Sequence, residues 1–333
     1  MTRVLYVSAR RNTFTRIDRE ILEEEFELEE YFQPGPLPRP AELIRKLRRC
    51  DVVFGWQASW HTLAALSAAT VLRRPSVLVI GGFDTAAVPE IGYGNQLGIL
   101  RRQRARRTIA RASRLITNSH FSQAEIQANL GLGPERVRVV YHGLADRFAD
   151  ADLGERERMA LTVGVVYEEN LRRKGHLPFV EAAAAAPEVE FALVGRWQDQ
   201  AVEELRRAAG PNVTLTGWLD DEALDSYFRR AAVYVQASVH EGFGLSLAEA
   251  MLAGAVPVVT AAGALPEVVG DTGVRIDEPS PEEIARGVRK ALELGPQAGL
   301  AARSRILEQF PLAARRGGLI QEVEAAARGE RSA

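Results

Sequence analysis

Cysteine is almost absent from this chain of 333 residues: Cys50 stands alone, so no internal disulfide is available. That fits a reducing compartment. Lysine is nearly missing as well, with Lys46, Lys174 and Lys290 the only three among 42 Lys+Arg. No stretch approaches the ~20 consecutive apolar residues that span a bilayer. Met1, Thr2 and Arg3 run straight into a strand, without an apolar run of signal-peptide length. The expectation is a cytoplasmic protein. A net charge of −2 argues against nucleic acid as the main partner. No Asp-x-Asp falls at a strand end and no His/Cys pair has ligand spacing, so neither a metal nor a cofactor is expected. No Ser-His-Asp or Cys-His arrangement suggests a nucleophile.

What is present is ordinary globular material, 46% hydrophobic, in a length that allows two domains with a core each. Apolar β-branched runs alternate with helical stretches from Val4 onward, which is the pattern of parallel α/β sheets. The organising stretch is Tyr234–Asp277. The run Val233–Ala237 reads as a buried strand. A glycine-bearing loop follows, and then a short helix ended by Gly254. Gly242 and Gly244 let the backbone pass close to a bulky group, and the bare N–H groups of the next helix make an anion site. Glu241 precedes that helix and Glu249 lies about a turn inside it. An anion site flanked by two acids suits a ligand with phosphate and hydroxyls, such as a nucleotide sugar.

These residues resemble the retaining glycosyltransferases of family 4. The match runs Glu241-Gly-Phe-Gly-Leu, Glu249-Ala-Met-Leu-Ala-Gly254-Ala-Val-Pro257-Val-Val, then Gly263-Ala-Leu-Pro266-Glu267-Val-Val. It covers residues 160–325 well and 1–150 only loosely. The resemblance implies an α/β GT-B fold, with two Rossmann-like parallel-sheet domains facing a cleft. Residues 1–149 would form the acceptor-binding domain, 159–311 the donor-binding domain, and 312–330 a helix returning to the first. A charged linker is expected over 149–158. The implied reaction moves a sugar from a nucleoside diphosphate sugar to a glycan, lipid-linked or small-molecule hydroxyl, with retention and without metal. Lys174 and Arg173 would neutralise the diphosphate, Glu241 would orient a sugar hydroxyl, and Glu249 would accept from the ribose. Gly242, Phe243, Gly244 and Leu245 would line the donor site, with Arg196 and Trp218 bordering the base, unless Trp197 and Trp218 pack into the core.

The first half departs from the family. Where relatives carry paired glycines, this chain has Ala9-Arg10-Arg11-Asn12-Thr13, which serves an anion or is a solvated loop. Where many relatives have a histidine it has Gly81, leaving Asp84 as the nearest polar candidate. Trp56, Trp60 and His61 suit an acceptor sugar or fill the core. Pro89–Gly94 looks like a glycine-hinged loop, and His142 like a turn residue. The arginines from Arg101 to Arg114 form a basic helix, either solvated or in weak, salt-sensitive contact with anionic lipid. Three alternatives to transfer stay open: a GT-B nucleotide-sugar epimerase, a non-catalytic binding protein of the GT-B fold, and a glycoside hydrolase, whose paired carboxylates flank a glycosidic bond.

Overall fold

A computed structural model describes residues 1–149 and 155–332. In chain order the first half contains β1 (Arg3–Ser8), α1 (Thr13–Glu25), β2 (Glu27–Phe32), α2 (Pro40–Arg49), β3 (Val52–Trp56), α3 (Trp60–Val71), β4 (Ser76–Val79), α4 (Ile99–Ile109), β5 (Arg114–Thr117), α5 (His120–Leu130) and β6 (Val137–Val139). The second half contains β7 (Glu157–Val163), α6 (Glu168–Arg173), α7 (His176–Ala182), β8 (Glu190–Val194), α8 (Ala201–Ala208), β9 (Val213–Gly217), α9 (Asp221–Arg230), β10 (Ala231–Gln236), α10 (Leu245–Leu252), β11 (Val256–Thr260), α11 (Leu265–Val269), β12 (Val274–Ile276), α12 (Pro281–Gln309) and α13 (Leu312–Ala327).

Two parallel six-stranded sheets result, ordered β2-β1-β3-β4-β5-β6 and β12-β11-β10-β7-β8-β9. Their central strands are apolar and covered on both faces: Val52, Val53 and Phe54 in one, and Val233, Tyr234 and Val235 in the other, have no exposed surface. That double burial is why these strands read as continuous apolar runs rather than alternating ones. The chain divides into two compact units, Met1–Gly143 with Leu312–Ala333, and Leu144–Pro311. Part of the expected linker, 150–154, lies outside the described residues. Glu157 and Arg158, also assigned to it, belong to β7. The sheet ladder claims them because Glu157 pairs with Ala231 of β10.

Element boundaries move by a residue or two where caps decide. Asn12 caps α1 by accepting from the Thr15 N–H, starting the helix earlier than its apolar pattern does. Pro281–Glu293 and Leu300–Phe310, two helices by their sequence pattern, join as α12, broken at Gly295 (φ 68°) just before Pro296. The run Gly263–Glu267, a turn by its sequence pattern, leads into a short helix, Leu265–Val269, with Pro266 in its first turn. Cys50 is buried and donates its thiol to the Leu47 carbonyl at 3.5 Å. Burial pushes that thiol up to about 11.

Helix α13 is tied into the first unit by charge. Arg315 donates to both oxygens of Asp18, at 2.9 and 2.6 Å, and to the Val140 carbonyl at 2.5 Å. Trp56 Nε1 donates to the same carboxylate at 3.1 Å. Both partners of this pair are buried. Two turns further on, buried Glu322 accepts from Arg114 at 2.6 Å and Arg138 at 2.8 Å. Removing one partner of a buried pair strands the other in low dielectric. Arg315→Leu should therefore lower unfolding free energy by about 3–5 kcal/mol, measured by urea denaturation. A loss below about 1 kcal/mol, the scale of a surface pair, would show that solvent reaches Asp18.

Candidate active site

In open parallel sheets, ligands bind beyond the carboxyl ends of the strands where the strand order reverses. In the second sheet that point lies between β7 and β10, which pair through Val233 with Ala160 and Tyr234 with Leu161. The chain leaving β7 carries α6, whose last residue is Arg173 and whose C-cap is Lys174. The chain leaving β10 carries Glu241 and then α10, capped by Gly244 at φ 93°. Tyr234 joins the two strand ends: its hydroxyl accepts from the Val163 N–H at 3.2 Å and donates to Ser246 Oγ at 2.9 Å.

Two glycines bring the charged residues together. A Cβ on Gly175 (φ 70°) would lie 2.2 Å from the Ala237 carbonyl oxygen, so the loop after Lys174 rests directly on the end of β10. A Cβ on Gly263 (φ 64°) would lie 2.1 Å from the Glu241 carbonyl oxygen. That close approach lets the Ala264 N–H donate to the same carbonyl at 2.9 Å. Any side chain at either position would push the two loops apart.

The result is an ion pair in which Lys174 Nζ donates to Glu241 Oε2. Arg173 stands beside it, donating to Asn170 Oδ1 at 2.6 and 3.1 Å and to the His240 carbonyl at 3.4 Å. Burial pushes the Lys174 ammonium down, and the Arg173 charge adds to that, with Glu241 opposing both. Burial would raise the Glu241 carboxyl, yet the charges of Lys174 and Arg173 and the lysine hydrogen bond outweigh it and hold it below its ordinary value. This cluster, next to the N–H groups at the start of α10, can hold a dianion and neutralise charge that develops on it.

Other expected residues fall around this centre in different ways. Glu249 lies in the second turn of α10 and meets Arg147 at 3.4 Å. Phe243 is buried, its ring edge-on to Phe310 at 5.3 Å, so it anchors the loop. Gly242 and Leu245 beside it keep partial exposure, and Gly244 is buried. Arg196 and Trp218 follow β8 and β9 on the same sheet edge, and both are exposed, Trp218 at 64%. Trp218 is therefore not core. Trp197 is exposed as well, at 37%, and carries the Arg206 guanidinium 4.6 Å above its ring.

The acceptor-side candidates of the first unit differ in their surroundings. Asp84 is buried and accepts from the N–H groups of Ala58 (2.8 Å) and Gly81 (3.1 Å), clamping the loops after β3 and β4. His61 is buried with Nε2 2.9 Å from the Trp56 carbonyl. Trp56 belongs to the core, stacked on buried His142 at 6.0 Å. Only Trp60 keeps partial exposure, edge-on to His61. In the loop after β1, Arg11 pairs with Glu30 at 3.3 Å. Gln57, between Trp56 and Ala58, takes φ 68°, a strained value for a non-glycine residue. Asn170, Arg147 and Tyr234 support the site, and no motif announces them.

Residues 157–294 match the family described as Glycosyl transferases group 1, and residues 9–147 match Glycosyltransferase Family 4. An MMP alpha-(1->4)-mannosyltransferase of Mycolicibacterium hassiacum is 29% identical over 217 residues, 57% of this chain and 52% of that protein. A phosphatidylinositol N-acetylglucosaminyltransferase component of Arabidopsis thaliana is 25% identical over 196 residues, 57% of this chain and 44% of that protein. The chain thus spans about half the length of the curated relatives it matches. Among solved structures, Anabaena HepE in complex with UDP and glucose superposes with a TM-score of 0.79 at 18% identity, covering 98% of this chain and 100% of that one. A sucrose-phosphate synthase from Thermosynechococcus elongatus gives 0.74 at 17% identity, with 98% and 100% covered. The fold is the α/β GT-B fold. The chain belongs to the group 1, family 4 glycosyltransferases.

The buried imidazoles set a pH dependence. Burial lowers His61 to about 4 and His176 to about 3. Between those values and 6.5 the unfolded chain binds the proton and the folded chain does not, so stability falls as pH drops below 6.5. Asp84, raised by burial to about 6, acts oppositely: from 3.8 to 6 the folded chain holds the extra proton, and stability falls as pH rises. Neither ring nitrogen of His176 has a hydrogen-bond partner among the described residues. His176→Leu should therefore flatten the acid limb by one proton, about 1.4 kcal/mol per pH unit between about pH 6 and 4. Urea midpoints across pH measure this, and an unchanged slope would mean His176 is already charged in the fold.

Proposed function

We propose that this glycosyltransferase moves a sugar from a nucleoside diphosphate sugar to an acceptor hydroxyl, with retention and without a metal ion. The observation that carries this is the buried Lys174–Glu241 pair, with Arg173 beside it, at the start of α10 and at the strand-order reversal. Two side-chain cations and a helix N-terminus supply the neutralisation that a departing diphosphate needs and that a metal gives in other enzymes. As the bond from the anomeric carbon to the phosphate oxygen breaks, negative charge moves onto that oxygen and is met by Lys174 and Arg173. The acceptor hydroxyl approaches the same face, bonds to the anomeric carbon, and passes its proton to the departing phosphate. No protein base is required. Glu241, kept ionised, accepts from a sugar hydroxyl and orients the ring. Glu249 accepts from the ribose. The HepE complex with UDP and glucose supports a donor of this class.

Incubation with UDP-, GDP- and ADP-sugars and a panel of hydroxyl acceptors tests the reaction. The product should keep the donor's anomeric configuration by NMR, and EDTA should leave turnover unchanged. Lys174→Ala should lower kcat by about 10²–10³-fold, the scale for one lost electrostatic donor, with a smaller change in KM. A loss confined to KM would reduce Lys174 to holding ground-state substrate.

For the acceptor, we propose a lipid-linked or membrane-proximal hydroxyl reached by weak peripheral contact. Arg101, Arg102, Arg106, Arg107 and Arg111 are exposed, and among the described residues none pairs with a carboxylate. Arg114 leaves this group, because Glu322 neutralises it. Leu97, Ile99 and Leu100 are exposed at the start of α4, at 43%, 67% and 81%. That apolar tip beside unpaired arginines suits an anionic interface, each cation contributing about 1 kcal/mol near the surface. No helix among the described residues is long and apolar enough to cross a membrane. Phosphatidylserine vesicles should pellet the protein at low salt and release it at about 0.5 M NaCl, where surface charges are screened. Pelleting unaffected by Arg102→Ser, Arg106→Ser and Arg107→Ser together would refute the electrostatic part.

A further inference from the structure

Arg147 lies outside every motif that marks the donor site, yet its guanidinium is shared between two acids of that half. Nη2 is 3.0 Å from Asp225 of α9, and Nη1 is 3.4 Å from Glu249 of α10. All three side chains are partly or largely covered, Glu249 to 16% exposure and Asp225 to 19%. The rings of Phe148 and Phe228 flank the guanidinium at 5.2 and 5.6 Å. The segment carrying Arg147 is itself fixed. Leu144 N–H donates to the Phe310 carbonyl at 2.9 Å, Asp146 meets Arg303 at 2.5 Å, and Phe148 packs edge-on to Phe228. Arg147 is therefore delivered to one place by backbone and side-chain anchors on both sides of it.

We infer that Arg147 is a positioning residue for the donor nucleotide: by neutralising Asp225 and Glu249 together it keeps the Glu249 carboxylate ionised and aimed. This rests on the reading in which Glu249 accepts from the ribose hydroxyls. Two carboxylates meeting on one cation in a covered site repel each other once the cation is gone, which favours a proton on one of them and turns the other away. A protonated Glu249 loses acceptor capacity. Asp225 also feels Arg229 and Asp221, which oppose each other. Arg147 touches both acids at once. A guanidinium suits the task because it offers two N–H edges in a fixed plane and stacks on aromatic faces.

Calorimetry with UDP, GDP and ADP first finds the tightest of the three, which is then compared with its 2′,3′-dideoxy form. The wild-type protein should prefer the ribose form by at least about tenfold, the scale of a hydrogen bond to a charged group. Arg147→Ala should erase most of that preference while leaving dideoxy affinity within about twofold. Adding Asp225→Asn should restore it, since the competing carboxylate charge is removed. Arg147→Lys, which keeps the charge, should lie between, and melting curves identify any variant that fails to fold. A preference that survives Arg147→Ala, or equal weakening of both nucleotides, or no recovery in the double variant, overturns the role of Arg147. A wild-type protein indifferent to the ribose hydroxyls overturns the Glu249 contact itself.

Discussion

The Lys174–Glu241 pair depends on two backbones lying closer than side chains allow. Taking an ammonium and a carboxylate out of water costs several kcal/mol each, and their attraction repays that only in close geometry. The geometry is supplied by Gly175 resting on the Ala237 carbonyl and by Gly263 resting on Glu241. Each contact belongs to a different neighbour of β10, so the loops leaving three strands are fastened at one point. The anion site is therefore made rigid by main chain rather than by side-chain packing. Polar groups that face a dianion then need no reorganisation when charge develops, which is the condition for electrostatic stabilisation to be large.

The scarcity of lysine has a structural counterpart. Arginines act here as multi-point ties to carbonyl oxygens, a task a single ammonium performs less well. Arg156 reaches the carbonyls of Phe228, Ala231 and Ala253, holding the ends of α9 and α10 to the start of β10. Its burial lowers it to about 10. Arg305 spans the carbonyls of Glu267 and Val268, and Arg303 joins Leu252 to Asp146. Lys174 stands where one point charge is needed.

The alternating architecture is legible in strand composition, because doubly buried parallel strands leave little freedom in sequence. The candidate site is legible for a related reason: Gly244 and Gly263 answer local backbone demands and sit in one contiguous pattern with Glu241 and Glu249. Long-range partnerships leave no such trace. Nothing near Asp84 in the sequence points to Ala58, whose N–H it holds across a neighbouring loop. His61 likewise stands at a helix start as if available, but the chain folds its Nε2 onto Trp56, five residues back. Arg147 carries no signal because its partners, Asp225 and Glu249, lie far along the chain on two separate helices. Short helices such as α6 and α11 escape for another reason, since a turn or two carries too few residues for apolar periodicity.

The solitary thiol has a practical meaning. Cys50 is enclosed, and at a pKa of about 11 almost none of it is thiolate at neutral pH. Since the thiolate is the reactive form, the native surface is silent toward maleimides and alkylating dyes. A cysteine introduced at an exposed position such as Trp218 or Arg196 would be the sole site of labelling, with no need to strip native cysteines first. The wild-type background is thus already prepared for fluorescent or spin probes placed at the edge of the second sheet.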